Sequence, residues 1–199
     1  MNDKVSNEAI LAAALQLMKA DGRPLQKLRT GSRAMKYRLP NGQTVRARTC
    51  NDHVLVVLAD GPNPGAGLNI EGTDHLLIAM PEAPRTEGSV VAYFVPTSVA
   101  VTAVRESHGE WLASDPATRG NNTTWNIWFD DLGDVPWGGF AHRWAAYRVP
   151  GVASTLQAQA QGEVRPGATL GAVIAEARLA IATAAGVSLD AVKISIDLG

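Results

Sequence analysis

Two short apolar runs constrain this chain more than anything else in it: HLLIAM at His75–Met80 and VVAYFV at Val90–Val95. Each is too short to be a helix with its own core face, and each is bounded by Pro or Gly, so both read as buried strands. Pro96-Thr97-Ser98 stops the second run and starts a helix that closes near Trp111. From Asn69 to Ala113 the order is therefore strand, loop, strand, helix. Such a unit needs further strands beside it and cover on both faces, which predicts an α/β (α+β) fold with a mixed central sheet flanked by helices. With 199 residues and 46% hydrophobic content, the chain suits one ordinary domain with at most a small appendage.

The flanking segments supply those partners. Ser6 can cap a helix carrying Ile10, Leu11, Ala14, Leu15 and Met18 on one face, ended by Asp21-Gly22 and Pro24. Met35 to Thr49 reads as a hairpin around Pro40-Asn41-Gly42. A two-residue Asn-Gly turn would pair Arg38 with Val45 and mix the faces. A three-residue loop with Gly42 left-handed pairs Tyr37 with Val45 and Lys36 with Arg46, keeping the apolar faces together, so burial selects it. His53–Leu58 reads as a third strand, apolar almost throughout. The helix after Pro96 carries Val101, Val104, His108 and Trp111 as one stripe. Residues 114–124 read as loop, and Trp125, Ile127 and Phe129 alternate inward on a half-buried strand. Phe140–Val149 reads as a short helix. All five Trp residues fall after position 110.

Val149-Pro150-Gly151 marks a boundary, which gives a main domain over 1–150 and a Gln- and Ala-rich connector over 151–166. Residues 167–199 then form a small helix-strand unit, with Leu170, Val173, Ile174, Ala177 and Ile181 on the helix face and Val192, Ile194 and Ile196 on the strand. One helix and one strand cannot bury a core alone, so this unit is expected to dock on the main domain, on a protein partner or on a second copy.

Net charge of −1 gives no whole-molecule pull toward nucleic acid or membrane, so any binding charge has to be local. No apolar stretch approaches the ~18 residues of a membrane span, and the N-terminal residues lack a signal-peptide pattern. These features predict a cytoplasmic protein that does not enter membranes. The single Cys50 excludes an internal disulfide. Cys50 and His53 sit three apart on a strand-to-strand bend, and Cys50 reads as a buried small hydrophobe rather than a nucleophile. Glu71 and Asp74, beside His75, are the candidate Mg²⁺ ligands, while Asp130, Asp131 and Asp134 read as a solvated acidic loop. His108 beside Trp111 reads as a core or boundary histidine with its hydrogen bonds satisfied.

The basic hairpin is the most informative polar feature. In the three-residue-loop register Lys36, Arg38, Arg46 and Arg48 share one face. Like charges directly opposed across a sheet destabilise it, so either solvent screens them or an anion lies there. Such a row could contact about three or four phosphates of DNA or RNA without reading sequence. Lys27, Arg29 and Arg33 could extend it.

Several segments together resemble the restriction-endonuclease-like PD-(D/E)XK superfamily: TVRART (Thr44–Thr49), TDHLLIAM (Thr73–Met80), VVAYFVPTS (Val90–Ser98), HGEW (His108–Trp111) and the late HRWAAYRV (His142–Val149). The resemblance covers about Met35 to Val149 and implies a restriction-endonuclease-like sheet. Members that cut nucleic acid use an upstream acid and a Glu-x-Lys to hold Mg²⁺ and position water. Here the matching place reads Val45-Arg46-Ala47-Arg48, with no Glu and with arginine for lysine. Arginine stays protonated and cannot do lysine's proton work. The resemblance thus implies a catalytically silent scaffold that needs no cofactor and binds nucleic acid through the hairpin. Two other readings follow from the same residues: an interaction or assembly module with no nucleic-acid role, and a Mg²⁺-dependent nuclease using Glu71, Asp74 and the Asp130 group.

Overall fold

The computed structural model describes residues 4–29, 35–63, 65–120, 122–156, 170–185, 188 and 191–194. It divides into two compact units, 1–159 and 160–199. The first unit is a mixed α/β structure built on the expected core. Strand β5 (His75–Pro81) pairs antiparallel with β6 (Ser89–Pro96), from His75 opposite Pro96 to Pro81 opposite Val90. Helix α2 (Thr97–Ser114) starts directly from Pro96.

Around this pair the sheet extends on both sides. The hairpin strands are β2 (Lys36–Arg38) and β3 (Thr44–Thr49), with Lys36 opposite Arg46, Tyr37 opposite Val45 and Arg38 opposite Thr44. This is the register that burial of Tyr37 and Val45 selects. Its three-residue loop is closed by Leu39 N–H donating to Gln43 O at 2.9 Å and Gly42 N–H to Leu39 O at 2.9 Å. Gly42 has φ 88°, a conformation that a side chain would strain. A short strand β1 (Gln26–Lys27), not expected from the sequence, pairs with β2. Strand β3 runs parallel to β5. On the far side of β6 lies β8 (Ala153–Ser154). The sheet order is β1-β2-β3-β5-β6-β8. Residues 153 and 154, placed in a connector by their composition, thus belong to the sheet. Thr155 N–H also donates to Gly88 O at 2.9 Å.

One sheet face is covered by α1 (Asn7–Ala20), capped by Ser6, whose Ile10, Ala13, Ala14, Leu17 and Met18 pack on Tyr37, Val45, Leu77, Ala92 and Phe94. The other face carries Leu76, Ile78, Met80, Tyr93 and Val95 against α2 and a separate two-stranded ribbon. That ribbon is β4 (Val54–Leu58) paired with β7 (Thr124–Trp128). The sequence predicts β4 as apolar on both faces, but only Leu55 and Val57 are buried, and Val56 and Leu58 are exposed. A ribbon lying on a sheet has one covered face, so its apolar outward residues stay in solvent.

Other expectations are corrected. Residues 116–119 form a helical turn, α3 (Pro116–Arg119), with proline at its start. Phe140–Val149 is not one helix. It is α4 (Phe140–Arg143) followed by a 3₁₀ turn at Ala145–Tyr147, because Trp144 leaves helical geometry while packing edge-on against Phe140 and Phe129. The buried side of α2 is centred on Ala100, Ala103, Val104, Ser107 and His108, with Val101 and Trp111 on its margin.

In the second unit, α5 (Leu170–Ala185) forms where the sequence puts a helix, and Arg178 Nε donates to Val192 O at 2.9 Å. Ile181, expected on the apolar face, is exposed. Residues 191–194 carry no strand, and the remainder of the expected final strand lies outside the described residues. No helix among the described residues is long and apolar enough to cross a membrane.

Candidate functional site

The hairpin register decides which side chains share a face. Tyr37, Val45 and Ala47 belong to the core under α1, so Lys36, Arg38, Arg46 and Arg48 stand on the opposite face. Arg38 is exposed, while Lys36, Arg46 and Arg48 are half-buried. The ribbon side of the molecule borders this row. Arg46 Nη1 donates to Asn69 O, and Arg48 Nη2 donates to Val56 O at 2.7 Å. Burial, and then the nearby Arg48 charge, pull the Arg46 guanidinium below its usual range, and its buried Nε has no hydrogen-bond partner among the described residues. None of the four cations forms an ion pair with a described residue. Elsewhere the same chain pairs its arginines with carboxylates: Arg85 with Asp52, Arg105 with Glu71 and Arg148 with Glu82. Arg33 lies outside the described residues.

The carboxylates expected to hold a metal are occupied separately. Glu71 pairs with Arg105 at 3.1 Å and accepts from Leu68 N–H. Asp74 Oδ2 accepts from Thr44 N–H at 2.7 Å and from Thr44 Oγ1 at 2.8 Å, and these bonds hold its carboxyl below the usual range. Asp130 pairs with His53 at 2.6 Å, and His53 Nε2 lies 2.7 Å from Pro81 O, so this pair staples the ribbon to β5. No group of three or more His, Cys, Asp and Glu among the described residues is placed to hold a metal ion. Cys50 is buried, and burial pushes its thiol up to about 12, which leaves no thiolate for nucleophilic attack at neutral pH.

One feature the sequence reading missed is a cavity of about 340 Å³ between α2 and the ribbon. Ser107, His108 and Trp111 of α2 form one wall, and Thr124, Asn126 and Trp128 of β7 form the other. Trp137 and Asn122 complete the lining. His108 stacks on Trp125 at 4.3 Å and on Trp111 at 5.5 Å. It is buried, as a core or boundary position would have it, but it is not the fully satisfied histidine that the sequence suggests. Its Nε2, like Asn126 Oδ1, is buried without a hydrogen-bond partner among the described residues. The signal available in the sequence was the outward position of Trp128 beside inward Trp125 and Ile127. Trp111 and Trp137 come from other segments, and only folding brings them together.

Burial shifts two histidines in a way that stability should report. His108 and His75 both lie below the ordinary value of 6.5, chiefly because burial disfavours the imidazolium. The unfolded chain then takes up protons as pH falls below about 6.5 while the folded chain does not. Stability from these two rings is therefore complete above that pH and declines as pH falls toward their folded values. Thermal melts between pH 7.5 and 5 should show Tm falling with acidity, and a His75→Gln/His108→Gln protein should show a smaller fall. An equal fall in both would rule these rings out as the cause.

The chain matches no family model, no curated protein and no solved structure.

Proposed function

We propose that this protein is a catalytically silent, nuclease-like scaffold that binds the phosphate backbone of nucleic acid through Lys36, Arg38, Arg46 and Arg48. The observation that carries this reading is the row itself: four cations on one face of β2 and β3 with no ion-pair partner among the described residues. The chain's net charge is −1 and it pairs many of its other arginines. Holding Arg46 against Arg48 on a half-buried sheet face is unfavourable unless an anion completes the site. Two of the four guanidinium and ammonium groups are held from the protein side by carbonyl oxygens, which fixes their position without neutralising them. Backbone phosphates suit such a row because they supply repeated charge and carry no sequence information.

The silence of the scaffold rests on the absent Glu-x-Lys and on the engagement of Glu71 and Asp74 elsewhere. Purified protein should bind unrelated DNA and RNA sequences with similar affinity at low ionic strength. The same mixtures should remain uncut with Mg²⁺ or Mn²⁺. Cleavage abolished by Asp74→Ala would replace this reading with the metal-dependent nuclease. Strong preference for one sequence would show that base edges, not phosphates, are being read.

A further inference from the structure

We infer that the cavity between α2 and β7 receives an unpaired base, which makes single-stranded nucleic acid the preferred form of the ligand. This rests on the proposed backbone-binding function and gives it a substrate class. A nucleotide has a charged half and a neutral planar half, and the two surfaces divide along that line. The basic row offers cations and no aromatic ring. The cavity is lined by three indoles, an imidazole and neutral hydroxyl and amide groups, and no Lys, Arg, Asp or Glu among the described residues lines it. A phosphate would find no charge there, whereas a base would find faces to stack on.

The two surfaces are joined through one ribbon. Arg48 Nη2 is anchored on Val56 O of β4, and Val56 stands directly opposite Asn126 of β7, a cavity residue. The row therefore meets one side of the ribbon and the cavity opens on the other, with the exposed Val56 and Leu58 between them. The cavity is also polar where a base needs polarity. His108 is 5% exposed and its Nε2 has no partner, and Asn126 Oδ1 is likewise buried and unpaired among the described residues. Asn126 Oδ1 is an acceptor, and His108 Nε2 donates or accepts according to the ring's tautomer. Unmet polar atoms near an aromatic slot fit the hydrogen-bonding edge of a base. A volume of about 340 Å³ has room for a base. A duplex keeps its bases paired and would present nothing to this cavity.

The test uses the full chain with three probes: a short single strand, an abasic strand with the same number of phosphates, and free nucleosides. The base-bearing strand should bind about 5- to 150-fold more tightly than the abasic one, with both showing the same salt slope. Trp128→Ala should reduce the base-bearing strand to the abasic level and leave the abasic strand unchanged, and Trp128→Phe should restore much of the difference. Free nucleosides should quench the indole fluorescence. Equal affinity for both strands overturns the base pocket and leaves the backbone reading standing. If neither strand binds at low salt, the backbone reading falls, and nucleoside quenching alone decides the pocket: quenching sustains it, and no quenching overturns it. Quenching by simple glycosides in place of nucleosides also overturns it.

Discussion

Trp125→Ala should destabilise the protein by about 3–5 kcal/mol, the cost of emptying a large aromatic site in a packed core. Trp125 is 1% exposed and lies on the inward face of β7 with Ile127 and Phe129 beside it. Its indole stacks on His108 at 4.3 Å with 14° between planes, and its Nε1 donates to Asn122 O at 3.2 Å. Removing it leaves a cavity, removes that stacking contact and frees a carbonyl at once. For a domain of this size the loss corresponds to a fall in Tm of roughly 6–20 °C. Trp128→Ala, on the outward face of the same strand, should change Tm far less. Thermal melts of the two proteins side by side check this. A Trp125→Ala protein melting within a degree or two of wild type would mean that the ribbon does not pack on the sheet as described.

Replacing Lys36 and Arg38 together with Gln should weaken nucleic-acid binding roughly 20- to 60-fold at about 0.1 M salt, if each cation releases one counterion equivalent. These two are the right pair to change. Arg46 and Arg48 also donate to Asn69 O and Val56 O, so neutralising them would leave carbonyls unpaired and mix a stability loss into the result. Lys36 and Arg38 have no such bond among the described residues. Their removal also relieves the like-charge contact between Lys36 and Arg46 across the hairpin. Tm should therefore hold or rise slightly while affinity falls equally for unrelated sequences. Gel-shift or anisotropy titrations beside a melting curve measure both.

The contrast between these two regions shows what the sequence discloses. The hairpin register was legible because a one-residue slip would have exposed Tyr37 and Val45, and period-two burial forbids it. The β5-β6-α2 core was legible because Pro96 sits between two unambiguous apolar patterns. Strand β4 was recognised, but not its place. VLVVL reads the same whether a strand joins the central sheet or forms a ribbon above it, and its partner β7 comes from a distant segment. Phe140–Val149 has helical spacing, yet the packing of Trp144 on two phenylalanines overrides it after one turn. For the candidate site, sequence placed the four basic residues on one face. It could not show that two of them would be fastened to backbone carbonyls. Nor could it reveal the Trp-lined cavity, whose walls come from α2, β7 and the loop at Trp137.

The dependence of affinity on salt tests the central claim most directly. With four phosphate contacts, log affinity against log salt should fall with a slope near −3 for single strands, about −0.7 per contact. The Lys36→Gln/Arg38→Gln protein should flatten that slope by about 1.4. Absence of any salt-sensitive binding to DNA or RNA at low ionic strength would contradict the account, and so would a slope left unchanged by the double substitution. The interaction-module reading would then take its place.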